Sequence, residues 1–444
     1  MHAGRAGLHA RRVRRRLDDP LAGATGAELP AVLDIADGQW HELGVEARGF
    51  PGVPIGSADG PTCPSLVTIS AVPVDQYGIS IADCAADLRT ARIAPWMMTT
   101  HLDTVTTVYV THGAHSNNPA RGTHGLPTAP DFHQRVAAAL VGTGASVQLI
   151  NSGDPWPQDQ WEIGFTSMPS CLLPVVMNSP RQRSDLREYV DDTLSGPGMG
   201  LLKSLGTSQH TQGSFGNLEC LPAYGGATAR PLGELYHGNQ MPSPIPEFLE
   251  AQPQQPWSFS TSWLRVQHVD EIMAVRPTGD GGFHIILASP RIAIDPLQAA
   301  PDDLIEAWAM AEPQTPPLPG RTTARILAAM LPENEQFQMA LDGLRSQLQA
   351  RGLVVDEVPV LFRATGEALL PDMVNLLCVN GRLIVPKPFY QPFEDAFRQT
   401  VGVGVDVLII DCLERHGGLG QVHCGTNTRR SPKPEWAWWW EIVP

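Results

Sequence analysis

The sequence contains no apolar run long enough to cross a bilayer, which takes about 18 residues, so no transmembrane helix is expected. It contains no CxxC pair, and its 7 cysteines are an odd number. That argues against a zinc ribbon or a disulfide framework. It suits reduced thiols in a cytoplasm, with room for one reactive cysteine. There is no HExxH spacing, and the glycine run at 416–420 lacks the Lys–Ser/Thr pair of a phosphate-binding loop. Positive charge is also scarce: 31 Lys and Arg stand against 46 Asp and Glu, a net charge of −15. Neither a nucleic-acid partner nor a membrane is therefore expected; basic partners or a cation-rich setting fit better.

What is present is a chain of 444 residues, 42% hydrophobic, enough for a large core and two or three domains. Its 42 Gly and 41 Pro follow no period, which points to many short elements joined by turns rather than to collagen. Residues 1–32 hold a basic cluster (Arg5, Arg11, Arg12, Arg14, Arg15, Arg16) with no apolar segment after it. They read as a disordered basic arm, not a secretory leader. From 33 to 90, strand-like segments such as 41–50 and 65–74 suggest a small, incomplete β module.

From 91 onward helices and strands alternate. A β-branched run at 104–112 precedes a helical pattern at 130–142 and a strand at 145–150. The helix-then-strand order recurs at 337–362 and again at 394–411. In the middle unit Leu341, Leu344 and Leu348 form one apolar stripe, and Gly352 stands where a helix stops. The fold class is therefore α/β, with sites on loops at strand ends; periodicity leaves open sheet, barrel and propeller equally allowed.

Three clusters can carry chemistry. The first, at 153–165, mixes Asp154, Asp159 and Glu162 with Trp156 and Trp161. Carboxylates beside aromatic faces can grip a planar cation, although a solvated acidic turn is the plainer reading. The second is His268 and Asp270, which share a face if the segment is extended; a structural hydrogen-bonded pair is the alternative. The third is the Gly-rich loop ending at Cys424, placed as nucleophiles often are. Taken alone, Cys424 could equally be a small buried hydrophobe. His423, adjacent to it, should point the opposite way on an extended segment and make a poor base, which leaves His268 as the candidate.

These clusters, with segments 92–99, 178–183 (NSPRQR), 214–219 (SFGNLE), 287–291, 370–377, 385–389, 422–427 (VHCGTN) and the Trp-rich end, resemble the protein-arginine deiminases in order. The resemblance spans about 91–444. It implies a catalytic domain of the pentein type, a five-module α/β propeller, and makes 33–90 a partial immunoglobulin-like domain. The implied reaction is hydrolysis of peptidyl-arginine to citrulline and ammonia. Cys424 would be the nucleophile, His268 the acid and base, and Asp159 and Asp270 the grip on the guanidinium. Arg181 and Arg183 match positions that hold the substrate backbone. Trp156 matches a channel-lining residue and Arg415 one near the channel mouth. Three extra residues between His416 and the VHC run alter the loop beside Cys424.

The resemblance also implies calcium. One site would use the side chains of Gln158, Glu162 and Glu219 and the carbonyls of Phe215 and Leu218, all oxygens. At a second site the acidic positions read Gln160 and Asn178, and a further position reads Gln182, with Ser179 retained. One calcium is thus expected to be kept and the second to be weak or absent. The partners expected are arginine-containing peptides or proteins. The alternatives are a deiminase of small guanidines such as free arginine or agmatine, or a non-catalytic binding protein; Arg181 and Arg183 weigh against the first.

Overall fold

The computed structural model describes the backbone at 66–69 and 89–92, and residues 95–112, 131–168, 171–181, 184–196, 198–203, 207–225, 229–303, 305 and 322–432. The expected arm at 1–32, most of the module at 33–90, Gln182, Arg183 and the Trp-rich end lie outside them. Within 33–90, Leu66–Ile69 pairs antiparallel with Arg89–Arg92.

The described residues form a mixed α/β structure of several small sheets, and none of these sheets closes into a barrel. Five sheets share one plan: an antiparallel pair, then a parallel strand. Trp161–Met168 pairs antiparallel with Cys171–Asn178, which pairs parallel with Gly200–Lys203. The short strand Met97–Met98 extends this sheet. Leu218–Leu221, Glu234–Gly238 and Pro256–Phe259 repeat the plan. So do Met273–Pro277, Phe283–Ser289 and Val355–Pro359, and Leu377–Val379, Arg382–Pro386 and Asp406–Ile410. In the fifth sheet the antiparallel partner comes from the other end of the chain: Thr426–Ser431 pairs with Thr104–Thr111, which pairs parallel with Ser146–Ile150.

A parallel neighbour cannot be reached by a hairpin; it needs a crossover. Each crossover here contains a helix: Ser184–Tyr189, Ile245–Glu250, Gln391–Val401, Phe132–Ala139, and the pair Pro290–Ala299 and Thr323–Ala350. The expected stripe Leu341, Leu344 and Leu348 is buried in the main core. That helix ends as its glycine foretells. Gly352 takes φ 81°, and the Leu353 N–H reaches back to the Leu348 carbonyl at 3.1 Å. It begins earlier than the pattern suggests, at Thr323, and runs through Pro332. Buried Asn334 helps hold it there. Its amide donates to the Met330 and Phe362 carbonyls, and its oxygen accepts from the Phe362 N–H.

Cys220, Cys378 and Cys424 are buried free thiols, and Cys412 is buried as well. Among the described residues no helix is long and apolar enough to cross a membrane.

Candidate active site

Cys424 ends a loop that leaves the short helix Leu413–His416 and enters the strand Thr426–Ser431. The segment is a turn rather than extended. Gly425 N–H bonds the Gln421 carbonyl at 3.1 Å and Thr426 N–H bonds the His423 carbonyl at 2.9 Å. The expectation that His423 and Cys424 point apart is therefore corrected. Both reach the same oxygen: Asp270 Oδ2 lies 3.0 Å from His423 Nδ1 and 3.2 Å from Cys424 Sγ.

Asp270 and His268 also sit on a tight turn, Val269–Glu271, not on a strand. Glu271 makes that turn by accepting from the His268 N–H at 2.8 Å. His268 Nε2 lies 2.8 Å from the Thr211 carbonyl and must donate to it, which leaves Nδ1 to face the site. Nδ1 faces Asp159 Oδ1 at 3.7 Å and Asp270 Oδ1 at 4.0 Å. His268 Nδ1 and Asp270 Oδ1 are both buried without a hydrogen-bond partner. Such groups cost about 1–3 kcal/mol each, so a built site that leaves two side by side is organised around something else.

Asp159 closes a one-turn helix, Pro157–Asp159, at the head of the strand Trp161–Met168. Asn427 fastens this turn beside Cys424 by donating to the Trp161 carbonyl at 2.7 Å. Asp159, His268, Asp270 and Cys424 are thus brought together, and all four are buried, Cys424 being 6% exposed. Gly216 forms the floor beneath them. A Cβ there would stand 2.6 Å from His268 Nδ1, 3.2 Å from Asp270 Oδ2 and 3.3 Å from Asp159 Oδ1.

The electrostatics follow from burial and from the carboxylates. Burial, then Asp270 and Asp159, push the Cys424 thiol well above its ordinary range. Burial would also raise the Asp270 carboxyl, but the His423 hydrogen bond and the charges of His423 and His268 hold it low. Burial lowers the His423 imidazole, yet Glu219 and Asp270 together leave it raised. The resting site therefore contains a neutral thiol facing negative charge.

The structure adds a residue that the three clusters do not include. Asn375 accepts from the Cys424 N–H at 3.1 Å, donates to Sγ at 3.1 Å, and donates to the Asp270 carbonyl at 3.2 Å. Its own carbonyl takes the His423 N–H at 3.0 Å.

Trp156 packs against the loop before Cys424: a Cβ on Gly420 would fall 2.5 Å from its ring and 2.9 Å from Cys424 Cβ, so only glycine fits. Arg415 is placed differently from the expected channel mouth. It is 1% exposed, 4.8 Å from the Phe132 ring and 5.9 Å from the Trp156 ring, with Nη2 on the Thr111 carbonyl. Burial lowers its guanidinium to about 10. Arg181 is half-buried and bonds the Gln209 carbonyl of its own chain.

Next to the thiol site, Gln158, Glu162 and Glu219 converge. Gln158 Nε2 is 2.5 Å from Glu162 Oε1 and 3.5 Å from Glu219 Oε1. The turn Phe215–Asn217 leads directly into the strand that starts at Leu218 and carries Glu219. Burial first, and repulsion from Glu219 second, drive the Glu162 carboxyl well above its usual range. Gln160, Asn178 and Ser179 form a different pocket. There Gln160 Nε2 donates to Asn178 Oδ1 at 2.6 Å, Asn178 donates to Asp191 at 3.1 Å, and Ser179 Oγ donates to the Gly213 carbonyl at 2.8 Å.

A buried thiol bracketed by two aspartates, an imidazole and an amide, on an α/β scaffold of small sheets, defines a thiol-centred site suited to a cationic ligand. The chain belongs to the protein-arginine deiminase family: the profile described as Protein-arginine deiminase (PAD) matches residues 83–441. It is 32% identical over 425 residues to protein-arginine deiminase type-1 of Mus musculus, covering 85% of this chain and 60% of that protein. To type-4 of Homo sapiens it is 28% identical over 490 residues, covering 100% of this chain and 70% of that one. The chain thus spans about 60–70% of the length of these relatives. Among solved structures, the C. jejuni agmatine deiminase is 10% identical, with a TM-score of 0.44 over 76% of this chain and 96% of that one.

Proposed function

We propose that this chain hydrolyses arginine side chains in peptides to citrulline and ammonia. The observation that carries the reading is the pair of unpartnered atoms, His268 Nδ1 and Asp270 Oδ1, beside Asp159 and the Cys424 thiol. A guanidinium is planar, permanently charged and a donor on every edge. Between Asp159 and Asp270 it satisfies the orphaned carboxylate oxygen and cancels the negative charge that keeps Cys424 protonated. Cys424 then passes its proton to His268 and forms a bond from Sγ to the guanidinium carbon. His268 returns that proton to the departing nitrogen, which leaves as ammonia. The same imidazole next takes a proton from water, whose oxygen attacks the carbon and releases Sγ with citrulline. Asn375 holds the thiol and the Asp270 backbone in register throughout.

The five repeated sheets support a pentein arrangement of five modules over 91–444, preceded by an immunoglobulin-like remnant at 33–90 and an arm at 1–32. The donor set of Gln158, Glu162 and Glu219 suits calcium, and two buried carboxylates facing each other are what a divalent cation relieves. Calcium, when bound, supplies the charge that lets Glu162 ionise; Gln158, Glu162 and Glu219 then fix the turn that carries Asp159. In the pocket of Gln160, Asn178 and Ser179 amides and a hydroxyl stand where a calcium site would need carboxylates, so any ion there is held weakly. Arg183 and Arg181 hold the substrate backbone, and Trp156 with Arg415 beneath it walls the side-chain channel.

One observation favours a second reading, a deiminase of small guanidines: the Arg181 guanidinium already bonds a carbonyl of its own chain. Ammonia release from a blocked peptidyl-arginine and from free arginine, each across a calcium titration, separates the two. The blocked substrate should be preferred, and Cys424→Ser should lose at least about 1,000-fold in rate, as removal of an activated nucleophile does. Wild-type turnover by the serine variant sinks the nucleophile assignment. An undiminished rate in EGTA sinks the calcium requirement.

A further inference from the structure

Glu219 reaches beyond the oxygen cluster. Its Oε2 lies 3.2 Å from His101 Nε2, and its Oε1 lies 3.4 Å from His423 Nε2. One atom from each of the three residues lies within 4.8 Å of the others. The two imidazole rings are 6.2 Å apart and tilted by 43°, so both can aim a nitrogen at one point. The atoms border a cavity of about 20 Å³, and a cavity of about 10–15 Å³ already holds one water-sized sphere. We propose that His101, Glu219 and His423 form a binding site for a borderline divalent transition ion of the Zn²⁺ type, which shares Glu219 and this cavity with Gln158 and Glu162 but takes its other donors from nitrogen.

Four observations support it. Metal–ligand bonds of about 2.0–2.1 Å in a tetrahedron put neighbouring ligand atoms about 3.3 Å apart, and the Glu219 oxygens lie 3.2 Å (Oε2) and 3.4 Å (Oε1) from the two ring nitrogens, so a small rotation of the carboxylate completes the set. Second, His423 Nδ1 bonds Asp270 Oδ2 at 3.0 Å. That is the carboxylate–histidine arrangement that fixes a metal-binding tautomer and leaves Nε2 for the ion. Third, Glu219 is buried and its two oxygens already face the two imidazoles, so an ion between them would compensate the buried carboxylate. Fourth, His101 also lines a larger cavity of about 460 Å³ with Leu102, Thr104, Cys378 and Asn380, so it stands at the border of both cavities. Two imidazoles and one carboxylate leave the fourth position to a water, and nitrogen donors select against calcium.

The test is a cobalt titration of the metal-free full chain, because Co²⁺ occupies such sites and reports its ligands by visible absorption. Wild type should take up one equivalent in a low-symmetry, histidine-bound form that Zn²⁺ displaces. His101→Gln should weaken that binding at least about 100-fold, the upper end of what even an outer-shell change costs. Glu162→Gln should keep the cobalt spectrum. Absence of the histidine-bound form in wild type, or its persistence in His101→Gln, overturns the proposal. Should His101→Gln not fold, carbethoxylation of wild type decides: cobalt must protect His101, and unchanged modification overturns the site. The readout is the metal, so an inactive chain tests the proposal as well as an active one.

Discussion

Residues 158–162 leave one short turn in three directions, and two of them form neighbouring pockets of opposite character. Gln158 and Glu162 enter a pocket with Glu219, where two carboxylates are buried together. Gln160 enters a pocket with Asn178, where two amides bond each other and only Gln160 Oε1 lacks a partner. The backbone is common; the charge differs. The first pocket holds a carboxyl that cannot ionise comfortably without a cation, whereas the second has become a piece of hydrogen-bonded core. The contrast follows from side chains: Glu162 and Glu219 put carboxylates in the first pocket, whereas Gln160 and Asn178 put amides in the second.

The sharpest way to break this contrast is to give the second pocket its charge. Gln160→Glu places a carboxylate against Asn178 Oδ1 and near Asp191. In EGTA this variant should lose about 3–5 kcal/mol in urea unfolding, as an unpaired buried charge does. Calcium should restore much of the loss. A neutral effect in EGTA means the pocket is already open to water, and the contrast fails.

The converse change acts on the first pocket. Glu162→Gln keeps the acceptor for Gln158 but removes a charge, so calcium affinity should fall about 100-fold, because ligand charge sets affinity. The same variant should be more stable than wild type without metal, by about 1–2 kcal/mol. The sign follows from linkage: the folded Glu162 carboxyl titrates well above its ordinary 4.5. Its stabilising contribution is thus complete at low pH and is lost as pH climbs toward the raised value. Wild-type stability in EGTA should decline across that range and the variant's should be flatter. Parallel curves would show that Glu162 is not the group responsible.

Sequence and structure part company in an instructive way here. The acidic, histidine and cysteine clusters were legible because their residue types carry chemistry and their order matches a family. Their local geometry was not. His268 and Asp270 share a site because Glu271 tightens a turn, and His423 joins Cys424 because the loop turns after Gln421. Asn375 went unmarked among the three clusters, although its segment belongs to the resemblance, because a lone asparagine signals nothing until the fold brings it 49 residues along the chain to Cys424. Pro332 likewise marks a helix end by propensity, yet tertiary contacts at Asn334 override it. Gly216 and Gly420 are informative only once the side chains that crowd them are in place.

The third direction taken by the turn, Asp159 toward the thiol, gives the smallest and most specific test. Asp159 is one of the charges that keep Cys424 protonated, after burial and Asp270. Asp159→Asn should therefore make the free thiol more reactive while making the enzyme worse. Without substrate, the pH midpoint for alkylation by iodoacetamide should move down by about one unit, or about 1.4 kcal/mol. Citrulline formation should fall at the same time, since the guanidinium loses a charged partner. Glu162→Gln, from the same turn but not among the main charges acting on Cys424, should move the midpoint much less. If both variants shift it equally, the turn influences the thiol through its shape and not through the charge of Asp159, and the separation of the three directions is lost.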